Sequence, residues 1–236
     1  MSQPIRAILF DLDGTLLDND MDLFLPHYFR RLTSWVADIM PPNEFMARLM
    51  SATERMLENN GPETNESVFS SAFYQLPGLP RVEVEPRLLD FYAKEFPKLR
   101  AHTRRKPEAR RVVQRAFDLG LEVVVATNPL FPATAVEQRL EWAGVLGFPY
   151  RRVTSYENSS ATKPNLRYFE EILSLLGRPP EAALVVGDED MDMVAAHLGC
   201  PTFLIPGSRT KLAETTPDPA YRGTLADLGA LLESWD

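Results

Sequence analysis

Apolar and polar positions alternate along this chain in two rhythms. Ile8-Leu9-Phe10 is an unbroken apolar run that ends abruptly in Asp11-Leu12-Asp13 and Gly14, the pattern of a buried strand closed by a turn. From Pro107 onward such runs alternate with apolar residues at helical spacing. Pro107-Glu108-Ala109 opens a helix through Val112, Val113, Ala116 and Phe117, with Gly120 beyond its end. Residues 121–127, with Val123-Val124-Val125, read as a buried strand, and 134–143 as a helix stopped by Gly144. A short strand at 152–155 precedes a helix over 165–176 closed by Gly177. Residues 182–186 form another buried strand running into Gly187-Asp188, 191–198 a helix, and 202–205 a last short strand. Repeated strand–helix–strand units imply a parallel sheet covered on both faces.

Between residue 18 and about residue 100 the rhythm is helical only. Segments 23–40, 44–58, 68–74 and 87–96 carry apolar residues at helical spacing, punctuated by Pro41-Pro42, Asn59-Asn60-Gly61-Pro62 and Pro77-Gly78-Leu79-Pro80. The expected organisation is an α/β core from residues 1–17 and 101–236, with an all-helical domain over 18–100 inserted after the first strand.

A chain of 236 residues is long enough for such a core and insertion. The net charge of −8 argues against a nucleic-acid partner. A phosphorylated small molecule would need positive charge supplied locally, from a metal and a lysine. Cys200 is the one cysteine of the sequence, which excludes an intramolecular disulfide and a cysteine metal cluster. Residues 1–6 lack the apolar core of a secretory signal, and no apolar stretch approaches the roughly 20 residues that span a bilayer. The expectation is a cytoplasmic protein without a membrane partner.

Asp11 and Asp13 fall where open α/β sheets bind ligands, just beyond a strand's C-terminal end. Two carboxylates that close either repel or share a cation, of which magnesium is the simplest. Three other segments occupy comparable places. Thr127-Asn128 ends the valine-rich strand, Lys163-Pro164 precedes a helix, and Gly187-Asp188-Glu189-Asp190-Met191-Asp192 ends the strand Leu184-Val185-Val186. With Asp11-x-Asp13-Gly14-Thr15, these four motifs in this order resemble the haloacid dehalogenase-like (HAD) hydrolase superfamily over the whole chain except the insertion. Leu166 stands where the family often has a proline, a departure that leaves Lys163 in place.

The resemblance implies a Rossmann-like, doubly wound core carrying a mobile helical cap whose side chains choose the substrate. It also implies roles. Asp11 would be the nucleophile that forms an aspartyl-phosphate, and Asp13 the acid/base for leaving alcohol and attacking water. Thr127 and the Asn128 backbone would hold phosphate oxygens, and Lys163 would offset the charge. Mg2+ would be bound by the Asp11 carboxylate, the Asp13 carbonyl and Asp188, with Asp192 direct or through water. Asp190 and Asp192 as plain helix caps is the competing reading.

An aspartate at position 13 favours phosphate monoesters over the halide and phosphonate substrates of relatives that lack it. The implied activity is a magnesium-dependent phosphatase for a small phosphorylated metabolite. A sugar-phosphate phosphomutase and a catalytically silent binding protein are the alternatives. Thr15 and Asp18 are expected to shape the turn and His197 to be structural. His102 is expected at a hinge surface, His27 in the insertion near the site's mouth, and Arg104-Arg105-Lys106 on a solvated face.

Overall fold

The computed structural model describes residues 5–74, 81–207 and 210–235; the break expected at Pro77-Gly78-Leu79-Pro80 lies outside the described residues. Strand β1 (Ala7–Phe10) runs through a two-residue strand β2 (Leu17–Asp18) into helices α1 (Met21–Trp35), α2 (Pro42–Leu57), α3 (Asn65–Tyr74) and α4 (Arg81–Lys94). A 3-10 segment, Phe96–His102, leads to β3 (Arg104–Arg105), which pairs antiparallel with β2. There follow α5 (Ala109–Asp118), β4 (Glu122–Val125), α6 (Ala133–Ala143), β5 (Arg152–Val153), α7 (Leu166–Leu176) and β6 (Ala183–Gly187). The chain closes with α8 (Asp190–Met193), β7 (Thr202–Leu204), β8 (Tyr221–Arg222) and α9 (Leu225–Glu233).

The main sheet has six strands in the order β5-β4-β1-β6-β7-β8, and every pairing is parallel. From β1 the chain builds outward through β4 and β5, then crosses back to build β6, β7 and β8 on the other side. That reversal puts a crevice beside β1, at the C-terminal ends of the strands. Phe10 is in register with both Val125 and Val186, so β1 and β4 end level and β6 runs one residue further, to Gly187.

Local sequence explains the elements. Every residue of β1 is buried, as a central strand covered on both faces must be. In α5 the buried residues are Ala109, Val112, Val113 and Ala116, one stripe at helical spacing. Asn165 caps α7 by accepting from the Arg167 N–H, and Thr224 caps α9 by accepting from the Asp227 N–H.

Several expectations are corrected. The strand at 202–205 is not the last, since β8 and α9 follow it. Helix α1 stops at Trp35 rather than at residue 40, and α4 begins at Arg81 rather than at residue 87. Only Asp190–Met193 of the segment 191–198 is α-helical, and Val194–Leu198 continues it as a tighter 3-10 turn. The β2–β3 ribbon where the chain enters and leaves the helical insert had no signal, because two residues cannot show a period.

The insert packs intimately on the sheet. One apolar cluster runs from Ile8, Phe10 and Val123 of the sheet through Leu140 and Trp142 of α6 to Phe24, Tyr28, Phe45, Phe73 and Phe91 of the insert. Phe96 links the two parts, stacked on Trp142 at 5.5 Å between ring centroids and edge-on to Phe24 at 6.0 Å. A polar contact adds a second tie. Fully buried Asn65, at the start of α3, donates through Nδ2 to the carbonyls of Pro129 (3.1 Å) and Ala161 (3.4 Å). Its Oδ1 accepts from Asn59 Nδ2 at 2.8 Å, and its backbone N–H donates to the Ser159 carbonyl at 2.8 Å.

Candidate active site

The neighbouring strand ends bring the expected residues into one crevice. Lys163, on the loop before α7, reaches in with a side chain only 1% exposed. Its ammonium donates to Asp11 Oδ1 at 2.8 Å and to Asp192 Oδ1 at 2.5 Å. Its backbone N–H donates to Asn128 Oδ1 at 3.2 Å, which ties the lysine loop to the end of β4. Burial pushes the Lys163 pKa down, but the carboxylates of Asp11 and Asp192 outweigh it and hold the ammonium well above its ordinary value. This lysine is a fixed internal cation.

Asp188 follows β6 and lies across the turn after β1. The Thr15 hydroxyl donates to Asp188 Oδ1 at 3.0 Å, so Thr15 does more than shape the turn. Gly14 has φ +84°, and a Cβ there would sit 2.1 Å from Asp188 Oδ2; only glycine lets this carboxylate close over the backbone. Gly187 does the same for Asp192, whose Cγ would be 2.2 Å from an added Cβ. Asp192 Oδ2 also accepts from the Glu189 N–H at 3.3 Å, so this side chain both caps α8 and holds Lys163. Asp190 accepts from the Ala213 N–H at 2.9 Å and lies outside the carboxylate group of Asp11, Asp188 and Asp192, at the wall of the same crevice.

Asp13 has partners that the sequence did not suggest. Arg139, on α6, forms a buried ion pair with its Oδ2, and Asn19 Nδ2 donates to its Oδ1 at 2.6 Å. The Arg139 guanidinium also lies 4.7 Å from the centre of the Phe131 ring. Burial raises the Asp13 pKa; Arg139 opposes this and Asp11 reinforces it, and the net shift is upward. A carboxyl in that balance can exchange a proton nearer neutrality than an exposed aspartate can.

Thr127 is buried at the end of β4. Its carbonyl is held by the Thr154 hydroxyl at 2.6 Å and the Tyr168 hydroxyl at 2.9 Å, which fixes the turn into Asn128. Asp11, Asp13, Thr127, Asn128, Asp188 and Asp192 all face one cavity of about 870 Å³. Its wall also includes Met21 and Asp22 of the insert, Leu130 and Phe131 before α6, Arg139 on α6, and Lys211.

The same crevice fits a hard divalent cation. One carboxylate oxygen from each of Asp11, Asp188 and Asp192 lies within 4.8 Å of the other two. Burial raises the pKa of Asp188, and Asp11 and Asp192 raise it further. Asp192 is also raised, by burial first, with Lys163 opposing and Asp11 adding to it. Crowded oxygen donors short of positive charge are the donor set that Mg2+ takes.

Other polar residues stand apart. His197 is exposed, near the end of the 3-10 turn Val194–Leu198. His102 is exposed and stacks on half-buried His27 at 3.7 Å, and neither lines the catalytic cavity. Arg104 and Arg105 are exposed as expected, but Lys106 is not simply solvated: its ammonium donates to the Gly14 carbonyl. Burial lowers its pKa, while Asp188, Asp18 and Asp11 oppose the shift.

A model of the haloacid dehalogenase-like hydrolase family matches residues 5–198, a span that holds every residue of the cluster. Among curated proteins, a phosphoglycolate phosphatase of Aquifex aeolicus (strain VF5) is 26% identical over 218 residues, covering 91% of each chain. Solved structures of similar fold include a HAD phosphatase from Thermococcus onnurineus, with TM-score 0.59, 19% identity and 97% and 98% of the two chains covered. They also include an L-2-haloacid dehalogenase from Xanthobacter autotrophicus, with TM-score 0.57, 14% identity and 97% and 98% covered.

Proposed function

The chain belongs to the haloacid dehalogenase-like hydrolase family, and from that premise we propose that it is a magnesium-dependent phosphatase of a small phosphorylated metabolite. The observation that carries this reading is a second carboxyl, Asp13, buried beside Asp11 at the end of β1 and held by Arg139 and Asn19. Halide displacement has no use for a proton donor there, whereas an alkoxide leaving group needs one. The phosphatase named for the Aquifex aeolicus relative points the same way.

In the first step an Asp11 carboxylate oxygen forms a bond to phosphorus as the bond to the alcohol oxygen breaks. Asp13 delivers its proton to that oxygen, and the alcohol departs. In the second step a water attacks phosphorus, Asp13 takes the water's proton, and the Asp11–phosphorus bond breaks to release phosphate. Lys163 holds the Asp11 carboxylate in line and offsets charge on the phosphoryl group. Thr127 and the Asn128 N–H cradle phosphate oxygens at the end of β4. Asp11, the Asp13 carbonyl and Asp188 would hold Mg2+, with Asp192 in reserve through water; the ion supplies Lewis-acid neutralisation of the phosphate charge.

Residues 18–100 serve in this reading as the cap domain over a core of 1–17 and 101–236. Among the described residues no helix is long and apolar enough to cross a membrane. Release of inorganic phosphate from a panel of phosphate monoesters tests the proposal. Asp11→Asn should abolish release while circular dichroism stays unchanged, and Lys163→Ala should reduce it at least about a hundredfold, as removing a charge-stabilising donor does elsewhere. Isomerisation of a sugar phosphate without release, or wild-type turnover by Asp11→Asn, would refute it.

A further inference from the structure

Beyond the catalytic cavity lies a second one, of about 380 Å³, enclosed between the helices of the insert and the start of α6. A volume of that order suits a small-molecule site. The two cavities share Met21, Leu130 and Phe131, so these three side chains form the threshold between them. The inner walls are apolar, built from residues such as Leu25, Phe29, Leu49, Phe69 and Leu88. The phenols of Tyr28 and Tyr92 also face it and are bonded to each other at 2.9 Å, while the neutral hydroxyls of Ser70, Tyr74, Thr134 and Tyr156 lie in the same lining.

The charges around the chamber narrow its occupant further. Among the described residues no lysine, arginine or histidine lines it; its ionisable lining consists of tyrosines and of Glu66, Glu85 and Glu157. Glu157 is engaged by the Ala133 N–H, at 2.9 and 3.0 Å, and Glu85 by Arg81 at 2.7 Å. An acidic ligand would meet repulsion, and a cationic one would have to compete with the partners of Glu85 and Glu157. Arg139 lines the outer cavity and not this chamber; its Nη1 is paired with Asp13 and its guanidinium lies against the Phe131 ring, while its Nη2 has no hydrogen-bond partner.

We propose that this chamber receives the alcohol half of the substrate, and that this alcohol is uncharged and apolar, an aliphatic chain or a flat ring rather than a hydroxy acid. The inference rests on the phosphatase reading above. Phosphate would sit over Asp11, the ester oxygen at the threshold near Asp13, and the carbon skeleton among the insert's side chains. An acidic alcohol such as glycolate is the wrong partner for these walls.

The test is inorganic phosphate release from the full chain with n-alkyl phosphates from ethyl to hexyl, and with phosphoglycolate, all in magnesium. The alcohols of this series have nearly the same leaving ability, so kcat/KM reports burial of the chain. It should rise about fourfold per added methylene, the gain expected from moving one CH2 out of water, and hexyl phosphate should outrun phosphoglycolate. Leu88→Asn, which places an amide in a half-buried position of the wall, should flatten that slope. A flat or falling series, with phosphoglycolate the better substrate, overturns the apolar chamber and leaves the phosphatase intact. No phosphate from any ester overturns both. A slope unchanged in Leu88→Asn moves the alcohol elsewhere and refutes this placement.

Discussion

Replacing Arg139 with methionine isolates the worth of the Asp13 ion pair. The two side chains are 2% and 10% exposed, so the pair is screened little by water. Removing one partner of a buried pair costs about 3–5 kcal/mol, mostly because the remaining charge is left uncompensated. The contact with the Phe131 face adds up to about 1 kcal/mol. Against this, Arg139 Nη2 is buried without a hydrogen-bond partner, and its removal returns about 1–3 kcal/mol of desolvation. The balance is a loss of about 3 kcal/mol, read as a lower urea midpoint at an unchanged m-value. Methionine keeps much of the volume, so a cavity contributes little. The double variant Arg139→Met, Asp13→Asn removes both charges and keeps the amide of Asn19 as a partner at position 13. It should recover to within about 1 kcal/mol of the parent, as neutral replacements of buried pairs commonly do. A single variant that loses less than about 1 kcal/mol, or a double variant that loses the sum of both singles, would refute the reasoning.

Three further outcomes follow from the geometry. Chelation with EDTA should abolish phosphate release and added magnesium should restore it; full activity in chelator would remove the ion from the mechanism. Gly14→Ala forces a side chain into a left-handed backbone and into Asp188; the backbone alone costs about 1–2 kcal/mol, and turnover should fall more than tenfold because Asp188 must move. Wild-type turnover in that variant would show that Asp188 is free to sit elsewhere. Asn65→Ala removes the side-chain donor to the Pro129 and Ala161 carbonyls and leaves Asn59 Nδ2 with the Glu63 carbonyl alone, for an expected loss of about 2–4 kcal/mol in urea unfolding; a loss below about 1 kcal/mol would mean that water replaces the amide.

Strand ends and turns carried much of what was legible. Asp11, Thr127 and Asp188 each follow an apolar run, and a buried run must end where polar residues resume, so their convergence follows from a parallel sheet. Lys163 was marked by the proline and helix after it. Arg139 left no such mark: a single arginine on a helix reads as a solvated face, and its partner Asp13 is 126 positions away. The terminal helix was legible and overlooked, since Thr224-Leu225-Ala226-Asp227 carries a capping pattern and the structure completes it, with Thr224 and Asp227 bonding each other's backbone N–H. The apolar cluster shared by insert and sheet could not be read, because periodicity says which face of a helix is buried and not what it is buried against.

The amide of Asn65 touches the loops on both sides of the crevice, the one carrying Thr127 and Asn128 and the one carrying Lys163. The helical insert is thus not a cassette joined to its carrier by two covalent crossings alone. Grafting it onto a relative's sheet would need the carbonyls of residues 129 and 161 to be matched as well, or leave a buried amide with nothing to hold. Trading whole inserts between relatives is therefore constrained here, because these polar contacts would have to move with them. In this architecture the helical insert and the loop that carries Lys163 share one polar knot and are obliged to diverge together.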